Sequence, residues 1–283
     1  MTDPMKSADV SIEHVGGRDL RIARWRLDMP SPHLPILFFN GIGANIEAVA
    51  PLAEALDDRG FIMFDMPGVG GSPEPVVPYN AFTMSWTAAH VLDRFKLAEV
   101  DVMGVSWGGA MAQHFALQHG GRTRRLILAA TTAGMLMVPG SPAALSKMAD
   151  PRRYVDAAFM EKHFARLYGE GLGKSAGKAA HMARLTPPSK RGYFYQLLAM
   201  IGWTSAPALP FLRKPTLIMV GSEDRIVPPI NGKLLHSLIP HSELETFEGG
   251  GHLFLLSHRE QSVSAIRSFL DRPASDWDQP KAA

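Results

Sequence analysis

The chain predicts an α/β protein built on a mostly parallel central sheet. Three observations lead there. Short apolar runs alternate with segments of helical spacing; several of those runs are apolar at every position, as strands covered on both faces must be; and an apolar fraction of 46% over 283 residues supplies enough material for one large buried core. Residues 9–15 and 19–26, "DVSIEHV" and "DLRIARWR", read as two strands about the turn Gly16-Gly17. "PILFFNG" at 35–41 is a buried strand ending in glycine, and "FIMFDM" at 61–66 is another. Between them "IEAVAPLAEAL" at 46–56 has helical spacing, but Pro51 breaks its interior unless the helix begins near that residue. Helix at 84–95, strand at 100–105, helix at 107–119 and strand at 125–131 continue the alternation.

The pattern then stops. Residues 133–210 carry proline-containing loops, short helical pieces and no buried strand run, and hold six of the fifteen methionines: Met135, Met137, Met148, Met160, Met182 and Met200. This stretch reads as an insertion above the sheet. Strand runs resume at 215–221 and 242–248, and a helix at 261–270 closes the pattern. The expected organisation is a core of 1–132 and 211–272, a helical cap or lid at 133–210, and a disordered tail at 273–283.

Composition excludes several classes of function. A formal charge of +2 with scattered arginines gives no basic stripe for nucleic acid. Without cysteine there is no disulfide frame, thiolate metal site or cysteine nucleophile. No His/Asp/Glu cluster has metal spacing, so neither metal nor cofactor is expected. The N-terminal stretch lacks the apolar segment of a signal peptide, and no apolar run approaches the ~20 residues needed to span a bilayer, so the expected location is cytoplasmic.

Chemistry is concentrated at three strand ends. Gly104, Ser106 and Gly108 fit G-x-S-x-G, with the serine between a buried strand and a helix. Without that context, a helix-capping serine among packing glycines would serve as well. A hydroxyl nucleophile needs a base, and the base needs an orienting acid. Asp224 follows the strand "PTLIMVG" and is the preferred acid; the adjacent Glu223 is the alternative. His252 follows three glycines after the strand at 242–248, and it alone of the eleven histidines has both the strand end and the chain order serine, acid, histidine. A tetrahedral oxyanion needs donors, for which the backbone N–H groups of Trp107 and Ile42 are the candidates. Asn40 is read as holding the Ile42 loop. "FDMPGVGGS" at 64–72 lacks the Gly-Lys-Ser/Thr of a phosphate loop, so Asp65, Gly68 and Gly70 read as structural turn residues.

"FNGIGAN", "FDMPGVGGS", "GVSWGG", "GSEDRIVP" and "GGGHLF" occur in the order found in the α/β-hydrolase superfamily, which the chain resembles along nearly its whole length. More narrowly, "FNGIGAN" at 39–45, "GVSWGGAMAQ" at 104–113, "MVPGSP" at 137–142, "DPRRYV" at 150–155 and "LLAMIGWTS" at 197–205 resemble the intracellular poly(3-hydroxyalkanoate) depolymerases that act on medium-chain-length polyesters. The resemblance implies an α/β-hydrolase fold and a serine esterase acting on stored polyester at a granule surface. Met135, Met137, Tyr193 and Trp203 are then candidates to line the substrate pocket, or equally to fill the cap's own core. Two other readings stay open: a soluble small-ester or lactone hydrolase with the same three residues, and a ligand-sensing protein that turns over slowly.

Overall fold

The structure is a computed structural model and describes residues 5, 7–148, 150, 152, 157–168 and 176–277. Among these, eight strands form one sheet: β1 (Asp9–Val15), β2 (Arg18–Trp25), β3 (Ile36–Phe39), β4 (Phe61–Phe64), β5 (Val100–Val105), β6 (Thr123–Ala129), β7 (Thr216–Gly221) and β8 (Ser242–Phe247). Their spatial order is β1-β2-β4-β3-β5-β6-β7-β8. β1 pairs antiparallel with β2 about Gly16-Gly17, and β2 antiparallel with β4; every other pairing is parallel.

Period-two alternation divides the apolar runs between two cores. Leu37, Phe39, Ile62, Val102, Leu126 and Ile218 face α2 (Ala81–Arg94), α3 (Trp107–Gln118) and α8 (Ile230–Leu238). Their strand neighbours Ile36, Phe38, Phe61, Met103, Ile127 and Leu217 face α1 (Ile46–Ala55) and α10 (Arg259–Leu270), with the short α9 (Phe254–Ser257) beside them. Both sheet faces are therefore apolar, which is why the central strands carry no polar alternation.

Three sequence expectations shift. First, α1 begins at Ile46 and carries Pro51 in its interior. That proline cannot donate a backbone hydrogen bond, but it is buried, and the helix is stabilised elsewhere. The N–H of Ile46 donates to Asp65 Oδ1 at 2.8 Å, so a carboxylate from another loop caps the helix. Second, α2 starts earlier than its apolar spacing suggests, because Asn80 and Thr83 form a reciprocal capping box. Third, the tail predicted to be disordered from 273 is ordered at its start: Ala274–Trp277 form a 3₁₀ turn, and Trp277 packs edge-on against Phe269 at 5.5 Å. Residues 278–283 lie outside the described residues.

Between β6 and β7 the chain leaves the sheet and forms α4 (Pro142–Met148), α5 (Ala157–Tyr168), α6 (Ala176–Arg184) and α7 (Lys190–Leu198). Of the 150–155 segment, only 150 and 152 are described. Ala144 and Phe164 of this insertion pack with Ile226 and Val227, and with the half-buried Leu253 and Leu256. The insertion's small core thus includes the loops that follow β7 and β8. At its other end, Ser189 caps α7, and its N–H donates to Gly68 O at 2.8 Å.

Asp65 ties these parts together. Its carboxylate accepts from the N–H groups of Ile46 and Gly71 and from Arg21 Nη1. Gly68 and Gly70 take positive φ in the same loop, as its tight turns require. Burial raises the Asp65 carboxyl to about 6 against these stabilising donors. Asp65→Ala removes the acceptor and leaves Arg21 and two N–H groups without it. The expected cost is about 3 kcal/mol, read as a fall in Tm of roughly 5 °C by calorimetry. A fall under ~2 °C would show that the loop is held by other contacts.

Candidate active site

The turn from β5 to α3 carries Ser106 at φ 54°, ψ −122°, a conformation that non-glycine residues rarely adopt. The surrounding glycines make it possible. A methyl group at Gly104 would stand 2.2 Å from Gly108 O, one at Gly108 would stand 2.1 Å from Phe39 O, and one at Gly109 would meet the Thr131 side chain at 2.5 Å. The helix therefore enters against bare backbone on both sides. Ser106 N–H donates to Ala129 O at 2.9 Å, and Thr131 Oγ1 donates to Ser106 O at 2.7 Å, which fixes the turn from β6.

The loops after β7 and β8 converge on that serine. Ser106 Oγ lies 3.0 Å from His252 Nε2, and His252 Nδ1 lies 2.7 Å from Asp224 Oδ2. Asp224 Oδ1 accepts from the N–H groups of Ile226 and Val227, both at 2.9 Å. An ionised carboxylate only accepts, so Nδ1 carries the proton and Nε2 is left to accept from the serine hydroxyl. His252 is 6% exposed and Asp224 4%, while Glu223 points to solvent, so Asp224 rather than Glu223 meets the imidazole. The three residues form one hydrogen-bonded row that can remove a proton from Oγ and stabilise the resulting imidazolium.

Ile42 and Trp107 lie on two sides of Ser106. Trp107 opens α3, where the first N–H groups have no partner within the helix and the helix dipole is positive. Ile42 lies in the loop after β3, where Asn40 Nδ2 donates to Asn45 O and Asn40 Oδ1 accepts from Gly41 N–H, each at 2.9 Å.

Gln196, in α7, is a residue that sequence reasoning missed. It is fully buried; its Oε1 accepts from Gly43 N–H, and its backbone oxygen accepts from Trp107 Nε1, both at 2.9 Å. One cap residue therefore anchors both loops beside the serine. A lone glutamine among aromatic and aliphatic residues carries no signal of this in sequence, because both partners are far away along the chain.

Two chambers meet at Ser106. One is lined by Ile42, His252 and apolar side chains including Phe38, Val49, Leu52 and Leu253, together with His181 of α6. The other is lined by Trp107, Met135, Met137, Met200, Trp203 and Val227. Of the four pocket candidates from the cap, Met135, Met137 and Trp203 thus reach a chamber, whereas Tyr193 lines neither. Trp203 Nε1 donates to His114 Nδ1 at 3.2 Å. His181 had no motif to mark it, yet the fold brings it into the first chamber, where burial, with a smaller contribution from Arg184, pushes its imidazolium down to about 4. Among the described residues, no group of three or more His, Asp or Glu side chains is arranged to hold a metal ion, and no helix is long and apolar enough to cross a membrane.

With this geometry, comparison with known proteins becomes specific. Residues 35–259 match the family model described as the alpha/beta hydrolase fold. A poly(3-hydroxyalkanoate) depolymerase of Ectopseudomonas oleovorans is 44% identical over 244 residues, covering 85% of this chain and 86% of that protein. The chain belongs to the α/β-hydrolase superfamily and, within it, to the poly(3-hydroxyalkanoate) depolymerase family. At greater distance, a 2-hydroxymuconate semialdehyde hydrolase of Pseudomonas putida is 27% identical over 95% of this chain and 97% of its own. The solved structure of a thermophilic esterase from Thermogutta terrifontis superposes with a TM-score of 0.75 at 25% identity, covering 93% of this chain and 98% of that one.

Ser106→Ala and His252→Ala should each lower ester hydrolysis by as much as the double variant, because residues acting as a unit are not additive. Asp224→Asn should cost on the order of 10²–10⁴ in kcat, and Glu223→Gln little. A larger loss in Glu223→Gln than in Asp224→Asn would reassign the acid. Gln196→Leu keeps the volume but leaves the N–H of Gly43 without its acceptor; kcat should fall about 10-fold with KM nearly constant, and Gln196→Glu, which keeps an acceptor, should recover part of it. A change confined to KM would instead make Gln196 a wall of the pocket.

Proposed function

We propose that this protein is a serine esterase that hydrolyses intracellular poly(3-hydroxyalkanoate), with medium-chain-length polyester as its substrate. The observation that carries the reading is the hydrogen-bonded row Ser106–His252–Asp224 at the junction of two apolar chambers, in a chain of the depolymerase family. A polyester places an apolar side chain on each side of every scissile ester, so its cleavage calls for an apolar space on each side of the nucleophile.

The chemistry follows from the row. Ser106 Oγ attacks the ester carbonyl while His252 Nε2 takes its proton. The backbone N–H groups of Trp107 and Ile42 hold the oxyanion, for which the loss of one donor costs 10²–10³ in other hydrolases. His252 then returns the proton to the departing 3-oxygen of the next unit. Water, deprotonated by the same imidazole, releases the acid from the acyl-enzyme. No cofactor or metal enters any step.

The chain reaches its substrate through the cap. Met135, Leu136 and Val138 are exposed, as are Phe194, Leu197 and Ile201. The Met135 N–H donates to Trp203 O, and Gly134 bridges Thr204, so the 135–138 segment and the 200–204 turn run side by side. Together they present an apolar face beside the second chamber, suited to docking on a polyester granule in the cytoplasm. A mobile cap would also cover the serine when no polymer is bound. Met137 is only half-exposed and lines the chamber, so it reports on the pocket as much as on the docking face.

Amorphous granules of medium-chain and short-chain polyester, incubated with the pure protein, test the reading, with the released acids identified by mass. Release of 3-hydroxy acids from medium-chain granules is the expected result. Cleavage of p-nitrophenyl esters without granule degradation would point instead to a small-ester or lactone hydrolase; an acyl-enzyme burst without steady turnover would point to a ligand sensor. Burying one such side chain contributes about 1.5–3 kcal/mol. Leu136→Ser should therefore weaken granule binding about 10-fold and the Leu136→Ser, Phe194→Ser, Ile201→Ser triple variant by more, with hydrolysis of a short soluble ester nearly unchanged. Equal loss on both substrates would make these residues structural.

A further inference from the structure

The two chambers that meet at Ser106 are built from different loops. The first lies against the loop after β8, where His252, Leu253 and Leu256 line it together with Val49 and Leu52 of α1. Asn40, Tyr168 and His181 interrupt walls that are mostly apolar. The second lies against the start of α3 and the loop after β6, where Trp107 and Thr131 line it together with Met135, Met137, Met200 and Trp203 of the cap. Ser106 borders both, whereas among the described residues His252 is a wall of the first alone.

The position of the imidazole decides which half of an ester each chamber receives. Attack forms the bond from Ser106 Oγ to the carbonyl carbon and moves the π electrons onto the carbonyl oxygen. The hydroxyl proton passes to His252 Nε2, 3.0 Å from Oγ. Collapse restores the carbonyl and breaks its bond to the alcohol oxygen, and Nε2 gives the proton to that departing oxygen. A proton donor must stand within roughly 2.6–3.2 Å of the atom it protonates. The alcohol half therefore leaves the carbonyl carbon on the imidazole side. The oxyanion points to the N–H groups of Ile42 and Trp107, and the acyl chain takes the direction that remains.

We propose that the first chamber holds the alcohol half of the ester and the second holds the acyl half, so that Val49 and Leu52 set alcohol selectivity while Met135, Met137, Met200 and Trp203 set acyl-chain selectivity. The inference rests on the serine-esterase reading and assigns its two subsites. Deacylation obeys the same geometry. The water must also reach Nε2, so it enters the first chamber once the alcohol has left, and the acyl chain stays in the second. In a poly(3-hydroxyalkanoate) the acyl half of each ester runs toward the hydroxyl end of the chain, and the alcohol half toward the carboxyl end. The chain is thus threaded with its hydroxyl-terminal side in the chamber that the exposed Met135 shares with the apolar face of the cap.

The test uses ethyl butanoate and two isomeric esters, ethyl octanoate and hexyl butanoate, which lengthen it by the same amount on opposite sides. Each long ester is compared with ethyl butanoate by kcat/KM. Met137→Trp narrows the second chamber, so its ethyl octanoate ratio should fall about 10-fold, as when roughly two methylenes lose their burial, with the hexyl butanoate ratio within about 2-fold of wild type. Val49→Phe narrows the first chamber and should do the reverse. The opposite pairing of variant and ester overturns the assignment, and so does movement of both ratios in either variant, or of neither. If a bulky variant does not fold, Met137→Ala and Val49→Ala widen the same chambers, and each should shift only the ratio of its own chamber. Granule degradation separates the two claims. Degradation with the opposite pairing removes the chamber assignment alone; the expected pairing without degradation removes the polyester reading alone. Absence of turnover on every ester and on granules overturns both.

Discussion

The conformation of Ser106 is the constraint on which the rest of the site depends. A non-glycine residue at φ 54°, ψ −122° is strained by roughly 1–3 kcal/mol, and the surroundings must impose it. They do so from three directions. Gly104 and Gly108 let α3 lie against β5 and against the end of β3 with no side chain between, Ala129 accepts the serine's N–H, and Thr131 holds its carbonyl. The strain lifts the hydroxyl clear of the sheet edge at the start of a helix, where a developing negative charge is favoured.

Around that point the parallel sheet acts as a positioning device. β5, β7 and β8 run in one direction, so the loops carrying Ser106, Asp224 and His252 all emerge at one edge. Asp224 is then fixed by the two N–H groups that follow it, and those belong to Ile226 and Val227, whose side chains form the floor of the cap's own core. The orienting acid and the cap are thus one packed unit, and Gln196 makes the same connection on the opposite side by holding Gly43 and Trp107. A cap displaced from this position would alter the alignment of the site as well as its cover.

Such a site combines opposed environments. The apolar chambers favour aliphatic chains and exclude water, which strengthens every polar contact inside them. The polar groups that remain are few and mostly paired: Asn40 within its own loop, Asp224 with His252, and Trp203 with His114. Gln196 Nε2, His114 Nε2 and His181 Nδ1 are buried without a hydrogen-bond partner among the described residues.

The sequence by itself determined the sheet, its parallel sense and the three strand ends where Ser106, Asp224 and His252 sit. These are local properties: two-sided apolar runs, and small residues where backbone must approach backbone. It preferred Asp224 with Glu223 as the alternative, since both stand in the same loop, and the direction of that turn buries one and exposes the other. The sequence gives helical spacing from Ile46 but sets Pro51 against it, because the carboxylate that caps the helix there, Asp65, comes from another loop. The same reason separates Tyr193 from Met135, Met137 and Trp203 in the cap, and conceals Gln196 and His181 altogether. Their roles arise from contacts between segments distant in the chain, and without a fixed spacing no pattern in the sequence records them.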